Sequence, residues 1–276
     1  MNSPRLKQCK FVSAALLVLV LAPRAAVPAE TWPSAVRAHY SLRYNGLEVG
    51  RLDINSTTSA TTYSLSGSAK VSVFFGVFKM SGSSNVSGSI DEGETPSPVN
   101  YGFDWRQNNK FGTIRMAFKD HVPTEIAVKP PSKMKPDLVP LMPAHKVGAY
   151  DPLSAILMLT KADGRPPCDR RVAIFDGKQR YDIVLTPKRL MRLPGSQTAH
   201  VCRIMYEPVA GHRNNEDTRA YATNRDAEVV MRPIPGSQMV IPYAVTIPST
   251  WGTGSMVTER IDIVTAGQQR TIALTD

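Results

Sequence analysis

What the chain lacks narrows its chemistry first. It has no H-x-x-x-H, H-E-x-x-H or C-x-x-C pattern, and His39, His121, His145, His200 and His212 stand far apart, so no zinc ligand set is visible. It has no G-x-G-x-x-G and no G-x-x-x-x-G-K-[ST], which removes the usual supports for a nucleotide cofactor. There is no G-x-S-x-G elbow to present a nucleophilic serine. Asp104, Asp163, Asp176 and Asp182 show no spacing that would pair them for glycosidase-type chemistry. The expectation is a protein with no catalytic residues, no metal and no cofactor.

Charge of one sign is present but nowhere concentrated. The formal net charge is +10 with a pI near 9.6, yet no block of five or more Lys/Arg occurs. The N-terminus explains part of this excess. Arg5, Lys7 and Lys10 precede an apolar run from Phe11 to Ala22, and Val27 and Ala29 are small residues placed for signal peptidase. Residues 1–29 therefore read as a cleaved secretory signal peptide, and the apolar run is too short to span a bilayer comfortably. Their loss removes four basic and no acidic residues and lowers the charge to +6. Export disfavours nucleic acid as a partner. It leaves anionic envelope components such as lipid head groups or peptidoglycan, in a protein that does not span the membrane after processing.

Cysteine is scarce. Cys9 lies in the leader, so only Cys168 and Cys202 remain. In an oxidising compartment such a pair reads as one disulfide; a thiol nucleophile or metal pair would need a nearby ligand, and His200 alone does not supply a site.

What is present is alternation. From Tyr63 to Val77 the odd positions are apolar or small, with Ser64, Ser66, Ser68, Lys70 and Ser72 between them, which reads as one long strand or two joined at Gly67. Val99, Tyr101, Phe103 and Trp105 form a second apolar face, and Ile114, Met116 and Phe118 a third. Asn45-Gly46 and Asp176-Gly177 are hairpin turns. The shift of apolar parity across Gly50-Arg51 is a β-bulge. Further strands are expected at 200–207, 218–223, 226–232, 239–247 and 255–264.

One segment breaks this pattern. "YDPLSAILML" opens with Asp151 as N-cap and Pro152 in the first turn, and Gly164 closes the expected helix at 151–163. Leu153, Ala155, Ile156, Leu157, Met158, Leu159 and Ala162 make it apolar nearly all round, the mark of a helix buried on several sides. Before it, five prolines between 128 and 145 exclude helix and central strand, leaving an ordered loop over 129–149. The residues 30–276 then form a single domain with a β half at 36–128 and another at 168–265. The expected fold is mainly β, a long antiparallel sheet curled into an open or spiral barrel with one central helix packed inside.

The set "YSLRYNGLEVG", "YDPLSAIL" and "FDGKQRYD", in that order, resembles the bacterial exported family called domain of unknown function 3108. Members share an N-terminal "Y-x-L-x-Y-N-G-L-x-V-G" strand pair, a central "D-P-L-S" helix and a later "F-D-G-x-x-x-Y" hairpin. "PPCDRRVAIFDGKQRYD" and "VCRIMYEPVAGH" also resemble members that pair two cysteines. The resemblance implies export and fold, and it attaches no catalytic residues. A "WLS" strand common near the C-terminus of members is replaced here by "YAVTIPSTWGTG".

Two functions from different classes follow. Phe74, Phe75, Phe78 and Trp105, with Leu153 and Leu157 of the helix, could line an apolar trough that holds a lipid-like or acyl ligand; plain core packing is the competing account of the same residues. Alternatively, the chain is a scaffold that binds another envelope protein through the proline loop and "PVAGHRNNEDTRAY" at 208–221.

Overall fold

The computed structural model describes residues 32–73, 76–91, 95–161, 164–194, 197–234, 237 and 239–273. Residues 1–29, Phe74, Phe75, Ala162 and Asp163 lie outside the described residues, and with them the expected signal peptide and the last two residues of the expected helix.

The N-terminal half is a run of antiparallel hairpins. Its strands are β1 (Ala35–Tyr44), β2 (Leu47–Thr58), β3 (Thr62–Val73), β4 (Phe78–Asp91), β5 (Thr95–Gln107), β6 (Lys110–Lys119) and β7 (Val122–Lys129). A proline-rich loop and a short 3-10 turn at Pro143–Lys146 lead to α1 (Pro152–Thr160). The C-terminal half holds β8 (Arg170–Phe175), β9 (Arg180–Arg192), β10 (Thr198–Ala210), α2 (Glu216–Thr223), β11 (Glu228–Pro233), β12 (Val240–Ser249), β13 (Gly252–Thr265) and β14 (Gln268–Ala273). Among the described residues these form one antiparallel sheet in the order β7-β6-β5-β4-β3-β2-β1-β13-β12-β11-β10-β9-β8, with β14 added beside β13.

Local chemistry accounts for the turns. Asn45 and Gly46 both take positive φ, 49° and 83°, the type I′ geometry that matches strand twist. The first bulge falls one residue earlier than the parity shift: Leu42 faces Gly50 and Arg43 faces Glu48, so Val49 is the extra residue. Gly50 must be glycine, because a Cβ there would meet the Lys70 carbonyl oxygen at 2.1 Å. At the β8–β9 turn the Asp176 carboxylate accepts from Lys178 N–H (2.8 Å) and Gln179 N–H (2.7 Å), and Gly177 takes φ +95°.

Four expectations are corrected. The alternating stretch from Tyr63 to Val77 is neither one strand nor two joined at Gly67: β3 runs through Gly67 and ends at Val73, Gly76 takes φ +89°, and β4 begins at Phe78. Val99 does not share the face of Tyr101, Phe103 and Trp105. A bulge opposite Ser87 and Gly88 leaves it the extra residue, and it is 46% exposed. The segment 218–223 is helix α2, not strand. Asn215 caps it by accepting from Thr218 N–H at 3.0 Å, and Glu216 and Asp217 sit where the helix dipole favours negative charge. Helix α1 stops at Thr160, because Lys161 turns extended and bridges to Met239 before Gly164 is reached.

The two ends of the strand order meet through side chains. Phe175 on β8 is fully buried in one cluster with Tyr63 and Leu65 of β3, Val86 of β4, Tyr101 of β5 and Ile114 and Met116 of β6. The sheet therefore bends far enough to bring its last strand over its first half. It does not close. Tyr150 extends the β8 edge, donating to the Ala173 carbonyl and accepting from Phe175 N–H at 2.8 Å each, and Gly148 N–H reaches the His121 carbonyl at 3.2 Å.

Candidate ligand site

Helix α1 touches β3, β4, β5, β8 and β12, strands from both halves of the sheet. Leu153 and Leu157 belong to the cluster just described, while Ala155, Met158 and Leu159 pack on Val172 and Ile174 of β8 and Ile183 of β9. Leu153 lies directly over Gly67 of β3, where a Cβ would stand at an ordinary contact distance of 3.6 Å from its methyl. A helix held from two sides needs apolar residues all round, which is what "PLSAILML" supplies.

A buried polar chain fixes its start. Asp151 Oδ1 accepts from Leu153 N–H (3.0 Å) and Ser154 N–H (3.1 Å). Its Oδ2 shares a hydrogen bond with the Ser154 hydroxyl, which in turn meets the Tyr63 hydroxyl of β3 at 2.7 Å. Asp151 and Ser154 are wholly buried and Tyr63 is 2% exposed. Burial pushes the Asp151 carboxyl up to about 6 and holds the Tyr63 phenol above its ordinary value. With no exposed surface on either Asp151 or Ser154, this chain braces the helix against β3.

The residues named as ligand contacts are dispersed. Leu153 and Leu157 are core, 5% and 1% exposed. Phe78 pairs with Val73 at the far end of β3 and β4, and Trp105 lies over Gly112 of β6, whose Cβ position is 2.7 Å from its ring. Both are half-buried and share the helix-bearing face, but neither joins the cluster around Leu153. The fold brings Phe78 and Trp105 to one face and keeps the two leucines beneath it.

That face has two parts. Around α1 it is dry. Toward the β1–β2 and β12–β13 turns its apolar residues stay half-buried: Leu42, Leu52, Val71, Met256, Val245 and Ile204. Helix α2 lies over the C-terminal portion and leaves a recess of about 520 Å³ against β9, β10 and β12. Ile183, Ile204, Tyr206, Tyr221, Ala227 and Ile247 line it, with Arg213 and Asp217 among the polar residues around it. Arg213 is held by Asp137 of the proline loop at 2.9 Å, and Leu138 bridges to Arg213, so the two loops named as partner surfaces are joined. Alternation hides this recess, because it reads 218–223 as a strand; the Asn-Glu-Asp start at 215–217 is the signal for the helix that covers it.

Cys168 and Cys202 form the expected disulfide, with Cα atoms 5.0 Å apart, buried among Leu185, Val229, Met231 and Val240. Among the described residues no group of three or more His, Cys, Asp or Glu could hold a metal ion, and no helix is long and apolar enough to cross a membrane.

The model of the family described as "Protein of unknown function (DUF3108)" matches residues 39–258. Among curated proteins nothing matches the chain. Among solved structures it is similar to a beta-barrel-like protein of domain of unknown function DUF1849 from Brucella abortus. That likeness has 12% identity and a TM-score of 0.52, and covers 86% of this chain and all of the other. At that identity it bears on fold alone.

Proposed function

The chain belongs to the DUF3108 family, and we propose that it is an exported, non-catalytic binding protein of the cell envelope that holds a hydrophobic or acyl ligand on the helix-bearing face of a curled, open sheet. In this reading the protein is periplasmic, α1 is the plug that makes one part of the curled sheet dry, and α2 covers the part left for the ligand. The recess beneath α2 carries the argument. Its volume falls in the range of small-molecule sites, roughly 300–1,000 Å³, and its lining combines apolar side chains of β9, β10 and β12 with polar groups, most of them on or beside α2. The half-buried Val245, Met256 and Leu52 extend an apolar surface away from it, as a chain-like ligand would need.

Native mass spectrometry of protein purified from its own host tests this. Co-extracted lipid is expected on the wild type and lost on Ile204→Trp, which fills the recess, at an unchanged melting temperature. Wild-type protein free of any such adduct would refute the reading.

The scaffold alternative has one observation in its favour. Met134, Met142 and Val147 of the proline loop are 87%, 55% and 63% exposed, more apolar surface than a loop without a partner needs. Replacing 133–142 by Gly/Ser should then abolish capture of an envelope protein while leaving the lipid adduct in place.

A further inference from the structure

The turns at one end of the sheet carry a pattern that the ligand reading does not use. The order β5-β4-β3-β2-β1-β13-β12 places the β5–β6, β3–β4, β1–β2 and β12–β13 turns side by side at the same end of the strands. Contacts confirm their adjacency. Tyr44 donates its hydroxyl to the Trp251 carbonyl, and Thr253 N–H reaches Asn45 Oδ1 at 2.8 Å. Lys79 N–H reaches Asn108 Oδ1 at 2.8 Å.

Each turn, or the strand end beside it, presents a large apolar side chain to solvent. Trp251 is 84% exposed, Val77 77%, Leu47 73% and Phe111 69%. Single exposed apolar residues are ordinary, but four on neighbouring turns are not.

Immediately behind them, on the sheet face opposite α1, lies a recess of about 1040 Å³ lined by the β3–β4 and β5–β6 turns and by the start of β2. Its cations are Arg51, Lys70, Lys79 and Arg106; its acids are Glu48 and Asp53. Both acids are engaged, Glu48 with Arg51 at 3.5 Å and Asp53 with His39 at 2.6 Å. Lys70, Lys79 and Arg106 have no ion-pair partner among the described residues. Arg51 stands directly opposite Lys70 across β2 and β3, and Ser81 alone separates Lys70 from Arg106 in the same transverse row. Like charges directly opposite destabilise a sheet. Among the described residues Glu48 offsets this row only at its Arg51 end, which leaves Lys70 and Arg106 able to take an external anion.

We infer that this end of the sheet docks on an anionic phospholipid surface. Lipid phosphates enter the recess beside Lys70, Lys79 and Arg106, while Trp251, Phe111, Val77 and Leu47 insert at the head-group boundary. The pairing of an apolar tip, tryptophan included, with cations set just behind it is the chemistry of interfacial binding. This inference is independent of the acyl-ligand reading, because it uses the opposite face and other residues.

The test is vesicle co-sedimentation of the exported protein, purified from its host with its N-terminus verified by mass. Binding is expected to 1:1 phosphatidylglycerol/phosphatidylcholine vesicles, to be absent on phosphatidylcholine alone, and to weaken in 0.5 M salt. Lys70→Ser with Arg106→Ser should lower the partition coefficient roughly 25-fold, from about fivefold per cation removed. Brominated lipid should quench tryptophan fluorescence in the wild type and not in Trp251→Phe. Equal binding to both vesicle types, or an unchanged partition coefficient in the double variant, would overturn the inference. So would self-association through the apolar turns, or binding of soluble glycerol phosphate, without vesicle binding. Melting temperatures of the exposed-residue variants should match the wild type, and the lipid adduct should persist in all of them.

Discussion

Replacing Asp151 by Asn should make the protein more stable at neutral pH, although it removes a wholly buried hydrogen-bonded carboxylate. The geometry explains why. When the carboxyl is neutral, Oδ1 still accepts the Leu153 and Ser154 N–H groups and the Oδ2 hydroxyl donates to Ser154 Oγ. Asparagine reproduces that state, with its NH₂ in place of the Oδ2 hydroxyl. The ionised carboxylate keeps the same partners but bears the cost of burial, which raises its pKa to about 6. An unfolded aspartate titrates near 3.9, so between about pH 4 and 6 the native chain holds a proton that the unfolded chain has lost. The stability this confers is full below about pH 4 and is lost as pH rises through 6. Over that interval, at about 1.4 kcal/mol per pH unit, the loss comes to about 3 kcal/mol. Urea unfolding of both proteins at pH 4, 5, 6 and 7, with the disulfide intact, reads the difference directly and cancels the titration of every other group. Asp151→Asn should match the wild type near pH 4 and exceed it by up to about 3 kcal/mol at pH 7. A stability difference that stays constant from pH 4 to 7 would refute the argument, since it would mean that Asp151 does not titrate differently in the folded chain.

Two further outcomes probe the fold. The double variant Cys168→Ala, Cys202→Ala opens a loop of 34 residues and should cost roughly 3–4 kcal/mol, measured by denaturant unfolding. Val99→Ser should change stability by less than about 0.5 kcal/mol because the bulge puts it outside, whereas Tyr101→Ala, two residues on and 5% exposed, should cost about 3 kcal/mol or more.

The alternation of apolar and polar residues was enough to read most strands, because a strand with one buried face has a period of two and each face shows in the chain. Turn chemistry was equally legible. Asn45-Gly46 and Asp176-Gly177 act through their own backbone and their nearest neighbours, and the structure has both turns where the dipeptides stand. The start of α1 was readable for the same reason: an N-cap at Asp151 and a proline at the next position are local. Family membership followed from the order of these local signals.

What failed was decided at a distance. Val99 obeys the alternation and is nevertheless exposed, because the bulge that expels it is set by the pairing of Ser87 and Gly88 with β5. The end of α1 came early because Lys161 is taken up by Met239, nearly eighty residues away. The candidate sites lie beyond sequence reach altogether. Nothing near Ile183, Ile204 and Ile247 says that α2 will cover them. Nothing near Arg51, Lys70 and Arg106 says that strand register will align them in one row. By itself the sequence determined strand periodicity, turn position, the helix cap and the disulfide pair, all fixed by near neighbours or by elimination. Tertiary structure alone decided which faces meet, because register and sheet curvature minimise free energy over the whole chain, and a site made of residues from several strands exists only once that minimum is reached.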